Sequence, residues 1–199
     1  MDNKPTEILQ IKITLMRTNP KIWRRILVTQ NLNLERLHDA IQISMGWTFS
    51  HLFEFTVGDR KYGEPDPYAP AGSQAFHARN LKLSAIVDRN IKNFSYIYDF
   101  GDHWEHEILI EKQIVADSSQ RYPVFVHGEG RCPPEDVGGI DGFEEFLSAI
   151  KDPSHEDYQH YQDWAGGNYD PNTIDLEGIN QGMELMASRL RSGPKKNKN

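Results

Sequence analysis

The stretch YIYDFGDHWEHEILIEK, residues 96–112, concentrates side chains that could do chemistry. Asp99 and Asp102 fall in a short acidic turn. His106 follows on a strand pattern whose face it shares with Trp104, Ile108 and Ile110. An imidazole on an apolar face needs a hydrogen-bond partner or a metal, because a buried unsatisfied polar group costs roughly 1–3 kcal/mol. His51 has the parity of Phe53 and Phe55 and is expected to point inward as well. Cys132, Glu135 and Asp136 gather in the Gly/Pro-rich segment HGEGRCPPEDVGGIDG. Two imidazoles, several carboxylates and a thiol form a donor set for a divalent ion, with His51, His106, Asp99 and Asp102 as the candidate ligands. The bland alternative has Asp99 and Asp102 folding the turn and His106 as a satisfied core histidine. Arg24, beside Trp23 and Arg25, could meet a phosphate or carboxylate; otherwise the arginines pair with nearby acids and Trp23 packs at an edge.

Other chemistries find no pattern. C-x-x-C, H-E-x-x-H, H-x-H and G-x-S-x-G are missing, and one cysteine, Cys132, makes a structural zinc of several thiolates implausible. His103 and His106 sit three apart and face opposite ways on a strand. The net charge is −7, concentrated in residues 129–180, which hold thirteen acids against two bases. Such a face argues against a broad nucleic-acid surface and suits a protein partner. Residues 189–199 carry five bases and no acid, so nucleic-acid contact is expected only through that basic tail. No apolar run approaches the ~18 residues of a membrane span, and the first fifteen residues lack a secretory apolar core. With a lone cysteine this leads to the expectation of a cytoplasmic protein with no membrane contact.

The elements that must hold these residues are legible from period. Leu9, Ile11, Ile13 and Leu15 alternate with polar residues; RTNPK turns the chain; Ile22, Arg24, Ile26 and Val28 share a face of a second strand. Leu34, Leu37, Ile41 and Met45 recur at helical spacing between an Asn33 N-cap and a Gly46 stop. Phe53, Phe55 and Val57 return to strand period, which gives a hairpin–helix–strand start like that of the β-grasp roll. A long loop is expected over 58–80, a short helix or turn at LKLSAIVD, and two strands around the acidic turn. Helical patterns then follow, the first with Asp141 and Glu144 placed as a capping box. The expectation is one α+β domain over residues 1–190: a sheet-rich roll of mixed or antiparallel strands at 6–127, then an acidic helical segment at 128–190. Residues 191–199 are read as a disordered basic tail.

Five motifs in order, WRRILV, LERLHDAIQISMGWTFSHLFEF, YIYDFGDHWEHEILIEK, GEGRCPPEDVGGIDGFEEFL and DWAGGNYDP, make the chain resemble the plasmid pRiA4b ORF-3-like family. The resemblance spans residues 6 to 190 or so and implies an α+β roll in a protein carried on plasmids and insertion elements and also on chromosomes. It implies that Trp23, Arg24, His38, Gly46, Trp47 and His51 belong to the family pattern. So do the DFGD turn with Tyr98, Trp104 and His106, and the segment from Cys132 to Gly139. The function expected from this is a non-catalytic binding or protein-interaction module, its cleft between the turn, His51 and the CPPED segment. The rival is a metal-dependent hydrolase on His51, Asp99, Asp102 and His106, with Glu135 or Asp136 as general base. A third is a DNA-associated protein of mobile elements.

Overall fold

The computed structural model describes residues 7–65, 74–167 and 169–192. The chain opens with β1 (Glu7–Leu15) and β2 (Ile22–Thr29), paired antiparallel with Ile11 opposite Ile26. Helix α1 (Leu34–Met45) follows. Asn33 caps it by accepting the Arg36 N–H through Oδ1, and Gly46 ends it in a left-handed conformation at φ 84°. Strand β3 (Phe53–Val57) completes the expected hairpin–helix–strand start.

The segment read as a long loop contains more order. Strand β4 (Arg60–Gly63) turns back on β3 through Gly58 and Asp59, and Val57 pairs with Arg60. A two-residue Gly-Asp connection with Gly58 at positive φ is a hairpin signal that a four-residue strand makes easy to miss. The short β5 (Phe76–His77) adds parallel to β4. Helix α2 (Leu83–Asp88) is the expected short helix. Strands β6 (Asn93–Tyr98) and β7 (Trp104–Val115) then flank the acidic turn, with Tyr98 opposite Trp104. β8 (Val124–Glu129) closes the sheet.

The eight strands run in the order β5-β4-β3-β6-β7-β1-β2-β8, antiparallel except at β4–β5. Alternation decides what each strand buries. Leu9, Ile11, Ile13, Ile22, Arg24, Ile26, Tyr96, Tyr98, Trp104, His106 and Ile108 all lose their exposure on one face of the sheet. Helix α1 packs over that face, α3 (Gly139–Lys151) and α5 (Leu176–Ser192) supply Phe143, Phe146, Ile179 and Met183 to the same core, and α4 (Tyr158–Trp164) rests its Tyr161 against it. One expectation is corrected here. Asp141 is not an N-cap: α3 starts at Gly139, Gly138 is its cap residue without a side-chain cap bond, and Asp141 lies within the first turn. Helix α5 runs on to Ser192, past the expected start of the tail at 191, and residues 193–199 lie outside the described residues.

Candidate metal centre

Three loops meet where β3 and β6 share an end. The first runs from Trp47 to Leu52. Its Trp47 indole donates to the Pro133 carbonyl at 2.9 Å, its Phe49 N–H to Gln42 Oε1 at 3.2 Å, and its Ser50 N–H to the Tyr98 hydroxyl at 3.1 Å. The second is the acidic turn. Asp99 donates its N–H to the Leu52 carbonyl at 2.9 Å, and its Oδ1 accepts the Gly101 N–H at 2.8 Å. The third runs from Cys132 to Gly139 and brings Glu135 against the first loop. There Thr48 donates to Oε1 of Glu135 from its N–H at 2.7 Å and from its hydroxyl at 3.0 Å. Tyr98 donates to both Glu135 oxygens at 3.1 Å. Burial first, and then the Glu135 charge, push the Tyr98 phenol well above its ordinary pKa, so it remains a donor.

The result centres on His51. Its Nε2 lies 3.5 Å from Asp99 Oδ2, 3.6 Å from Glu135 Oε2 and 3.2 Å from Asp136 Oδ1. That nitrogen is shut off from solvent, yet it has no hydrogen-bond partner among the described residues. His51, Asp99 and Asp136 each offer one ligand atom, and these atoms lie within 4.8 Å of one another. Among the described residues no lysine or arginine nitrogen comes within 4.0 Å of the three carboxylates, so one imidazole faces three negative groups. The backbone here is also constrained. Six non-glycine residues of the described chain have φ between 55° and 63°, and Phe49, Asp99, His103 and Asp136 are four of them. Such conformations collect at functional sites because only the surrounding structure holds them in place.

The grouping expected from the sequence therefore changes. His51, Asp99, Glu135 and Asp136 come together, whereas Asp102 and His106 do not join them. Asp102 instead accepts the Gly138 N–H at 3.2 Å and fastens the turn to the start of α3. His106 sits two residues inside β7, fully buried, with the Trp47 ring edge-on at 5.5 Å and Tyr96 at 5.2 Å. Its Nδ1 contacts the Tyr96 carbonyl at 3.3 Å, and its Nε2 has no hydrogen-bond partner among the described residues. Burial lowers its pKa to about 4. His106 lies on the core face that its parity gives it, and there it packs against Trp47 and Tyr96 rather than at the loop cluster.

Arg24 and Cys132 form a separate buried cluster behind the third loop. The Arg24 guanidinium donates to the carbonyls of Ser44, Trp23, Glu129 and Gly130 at 2.7–2.9 Å, and to Cys132 Sγ at 3.1 Å. It thus ties β2, the end of α1 and the 129–132 segment together with all its donors spent. No acid pairs with it among the described residues; Arg25 does pair, with Glu111 at 2.7 Å. Burial raises the Cys132 pKa, which keeps it a thiol rather than a metal ligand. Thr48, Ser50 and Tyr98 escaped the sequence reading as supports of the site. A hydroxyl gives no sign in sequence of the carboxylate it will hold.

An eight-stranded α+β sheet with a helical cover and a His/carboxylate cluster at its strand ends is thus the class of protein defined here. The description Plasmid pRiA4b ORF-3-like protein matches residues 7–178, and the chain belongs to that family. It is similar to the uncharacterized protein y4hQ of Sinorhizobium fredii, with 39% identity over 184 residues that make up 92% of this chain and 93% of the relative. The crystal structure of MM3350 from Methanosarcina mazei Go1, a protein of unknown function, matches with a TM-score of 0.79. That match is 32% identical and covers 88% of this chain and 97% of the other. No helix of the described residues is long and apolar enough to cross a membrane.

Proposed function

We propose that the protein binds a divalent transition-metal ion through His51 Nε2, Asp99 and Asp136, with Glu135 beside it as base or fourth ligand. The observation that carries this is the His51 nitrogen: enclosed, without a hydrogen bond, and 3.2–3.6 Å from three carboxylate oxygens. Donors around a four-coordinate ion with bonds of roughly 2.0–2.2 Å stand roughly 3.3–3.6 Å apart, close to the distances of the three oxygens from His51 Nε2, and the ligand atoms of His51, Asp99 and Asp136 all lie within 4.8 Å of one another. The imidazole favours zinc, copper, iron or nickel over calcium or magnesium. Asp99 commits Oδ1 to the Gly101 N–H, which leaves Oδ2 toward His51, and Thr48 and Tyr98 together fix the Glu135 carboxylate in place. Three protein ligands leave a position for water, whose pKa such an ion brings to about 7. Metal-assisted hydrolysis is the reaction this arrangement supports. Isothermal titration of chelator-stripped full-length protein with zinc tests it. One site per chain, lost in His51→Ala and in Asp136→Asn while both variants stay folded, is expected; binding unchanged in both variants rejects the reading.

The exposed apolar side chains of Phe49, Leu52 and Phe100 around the cluster favour a second reading, a non-catalytic interaction module whose partner docks at this rim and along the acidic 129–180 face. It predicts that metal-loaded protein turns over nothing in a panel of esters, amides and phosphoesters. Turnover that His51→Ala abolishes removes it.

A further inference from the structure

A cavity of about 530 Å³ opens beside His51, walled by Phe49, Ser50, Leu52, Phe53 and the ring of His38. His38 comes from the middle of α1 and is 7% exposed. Phe53 stacks on its face at 3.7 Å and Phe49 meets it edge-on at 5.9 Å. Its Nδ1 lies 2.7 Å from the Tyr96 hydroxyl. Its Nε2 has no hydrogen-bond partner among the described residues and belongs to a ring that lines the cavity.

A chain of hydrogen bonds decides where the His38 proton sits. The Phe49 N–H needs an acceptor, so the Gln42 oxygen Oε1 faces it at 3.2 Å. The Gln42 amide nitrogen therefore faces the Tyr96 hydroxyl, at 3.2 Å, and donates to it. Tyr96 is fully buried, and among the described residues its hydroxyl hydrogen-bonds only to Gln42 and His38. Its own proton has one acceptor left, His38 Nδ1. The imidazole must then carry its hydrogen on Nε2. Burial holds the ring neutral, its pKa down at about 3.

From this we infer that His38 is a neutral N–H donor to an oxygen of the bound ligand, and that the ligand is an uncharged acyl compound, an amide or ester with an apolar flank. The donor is fixed by the Phe49–Gln42–Tyr96 chain alone. The ligand class rests on the metal reading and on the surroundings. Glu35, Asp39 and Glu64 line the cavity against one cation, Arg36, which is paired to Asp39 at 2.7 Å. That balance repels an anion. Phe49, Leu52 and Phe53 offer apolar wall, and His38 and His51 both line this one cavity, so a single ligand seated in it meets both rings.

Long-range proton–nitrogen spectra of the full-length protein labelled with ¹⁵N-histidine test both parts. The probe is N-acetyl-L-phenylalaninamide, added with and without zinc. The expected result is a His38 that keeps the Nε2–H tautomer throughout and whose Nε2 resonance moves on adding the probe. Tyr96→Phe releases the tautomer and weakens the probe about tenfold, the loss of one buried hydrogen bond. A His38 that carries its proton on Nδ1 in the parent protein overturns the donor assignment without recourse to any variant. A probe that leaves His38 unmoved overturns the ligand class. The His51 response to zinc alone reports on the metal reading separately, so the two can fail independently.

Discussion

At the residue scale, the division of labour among the acids decides what each substitution does. Asp136 has a largely exposed side chain and supplies no hydrogen bond to the fold among the described residues, whereas Asp99 also builds its own turn through Oδ1. Asp136→Asn is therefore expected to leave stability within about 0.5 kcal/mol and to cut zinc affinity by about 100-fold, read by urea unfolding and calorimetry on one preparation. Asp102→Asn, by contrast, should leave zinc affinity unchanged, since Asp102 faces the α3 start. Equal losses for the two variants would contradict the assignment. His51 and Asp99 were legible in the sequence because strand parity and turn chemistry both act locally. The inclusion of Asp136 rather than His106 was not. It depends on how far a Pro-rich segment with no period travels before α3, a distance that spacing along the chain does not encode.

At the element scale, the 132–139 segment carries two of the four cluster residues, and its anchors lie outside the cluster. Arg24 holds its beginning from β2, and Gly139 seats its end on the acidic turn. Gly139 has φ 69°, and a Cβ there would stand 2.7 Å from the Asp102 carbonyl oxygen. Gly139→Ala is expected to destabilise the fold by about 2 kcal/mol and to weaken zinc binding along with it, although the residue touches no ligand. Arg24→Lys keeps a charge but loses the planar fork that reaches four carbonyls. A loss of about 2–4 kcal/mol in urea unfolding is expected; a loss under 0.5 kcal/mol would show that the tie carries no weight. The strands, α1 with both its caps and the hairpin start were readable because period and capping act within one element. The β3–β4 hairpin was hidden by its brevity. The start of α3 was misread because a real capping pattern sat two residues inside a helix begun by glycines.

At the scale of the whole molecule, the sheet buries two imidazoles that cannot charge in place. The folded pKa of His106 is about 4 and that of His38 about 3, both depressed below 6.5 by burial. A base with a depressed folded pKa binds fewer protons folded than unfolded. Its contribution to stability is complete above pH 6.5 and is lost as pH falls from there toward 4. Two such groups steepen the loss to about 2.7 kcal/mol per pH unit across that window. His106→Leu should halve this slope, measured by urea unfolding at pH 7 and pH 5, and should cost little at pH 7 because it also removes an unpartnered nitrogen. A slope identical to that of the parent would place the acid sensitivity elsewhere. The α+β class was evident from composition and the order of the patterns. The strand order was not, because pairing β1 with β7 joins residues about a hundred positions apart.

The proposed function requires one ion at one place. Crystals of the full-length protein grown with zinc, with anomalous data collected on either side of the zinc edge, would locate it. A single peak is predicted between His51 Nε2, Asp99 and Asp136, at roughly 2.0–2.2 Å from each donor atom. A map with no peak there, or with its peak at the Asp102 and His106 side of the turn, would contradict the account.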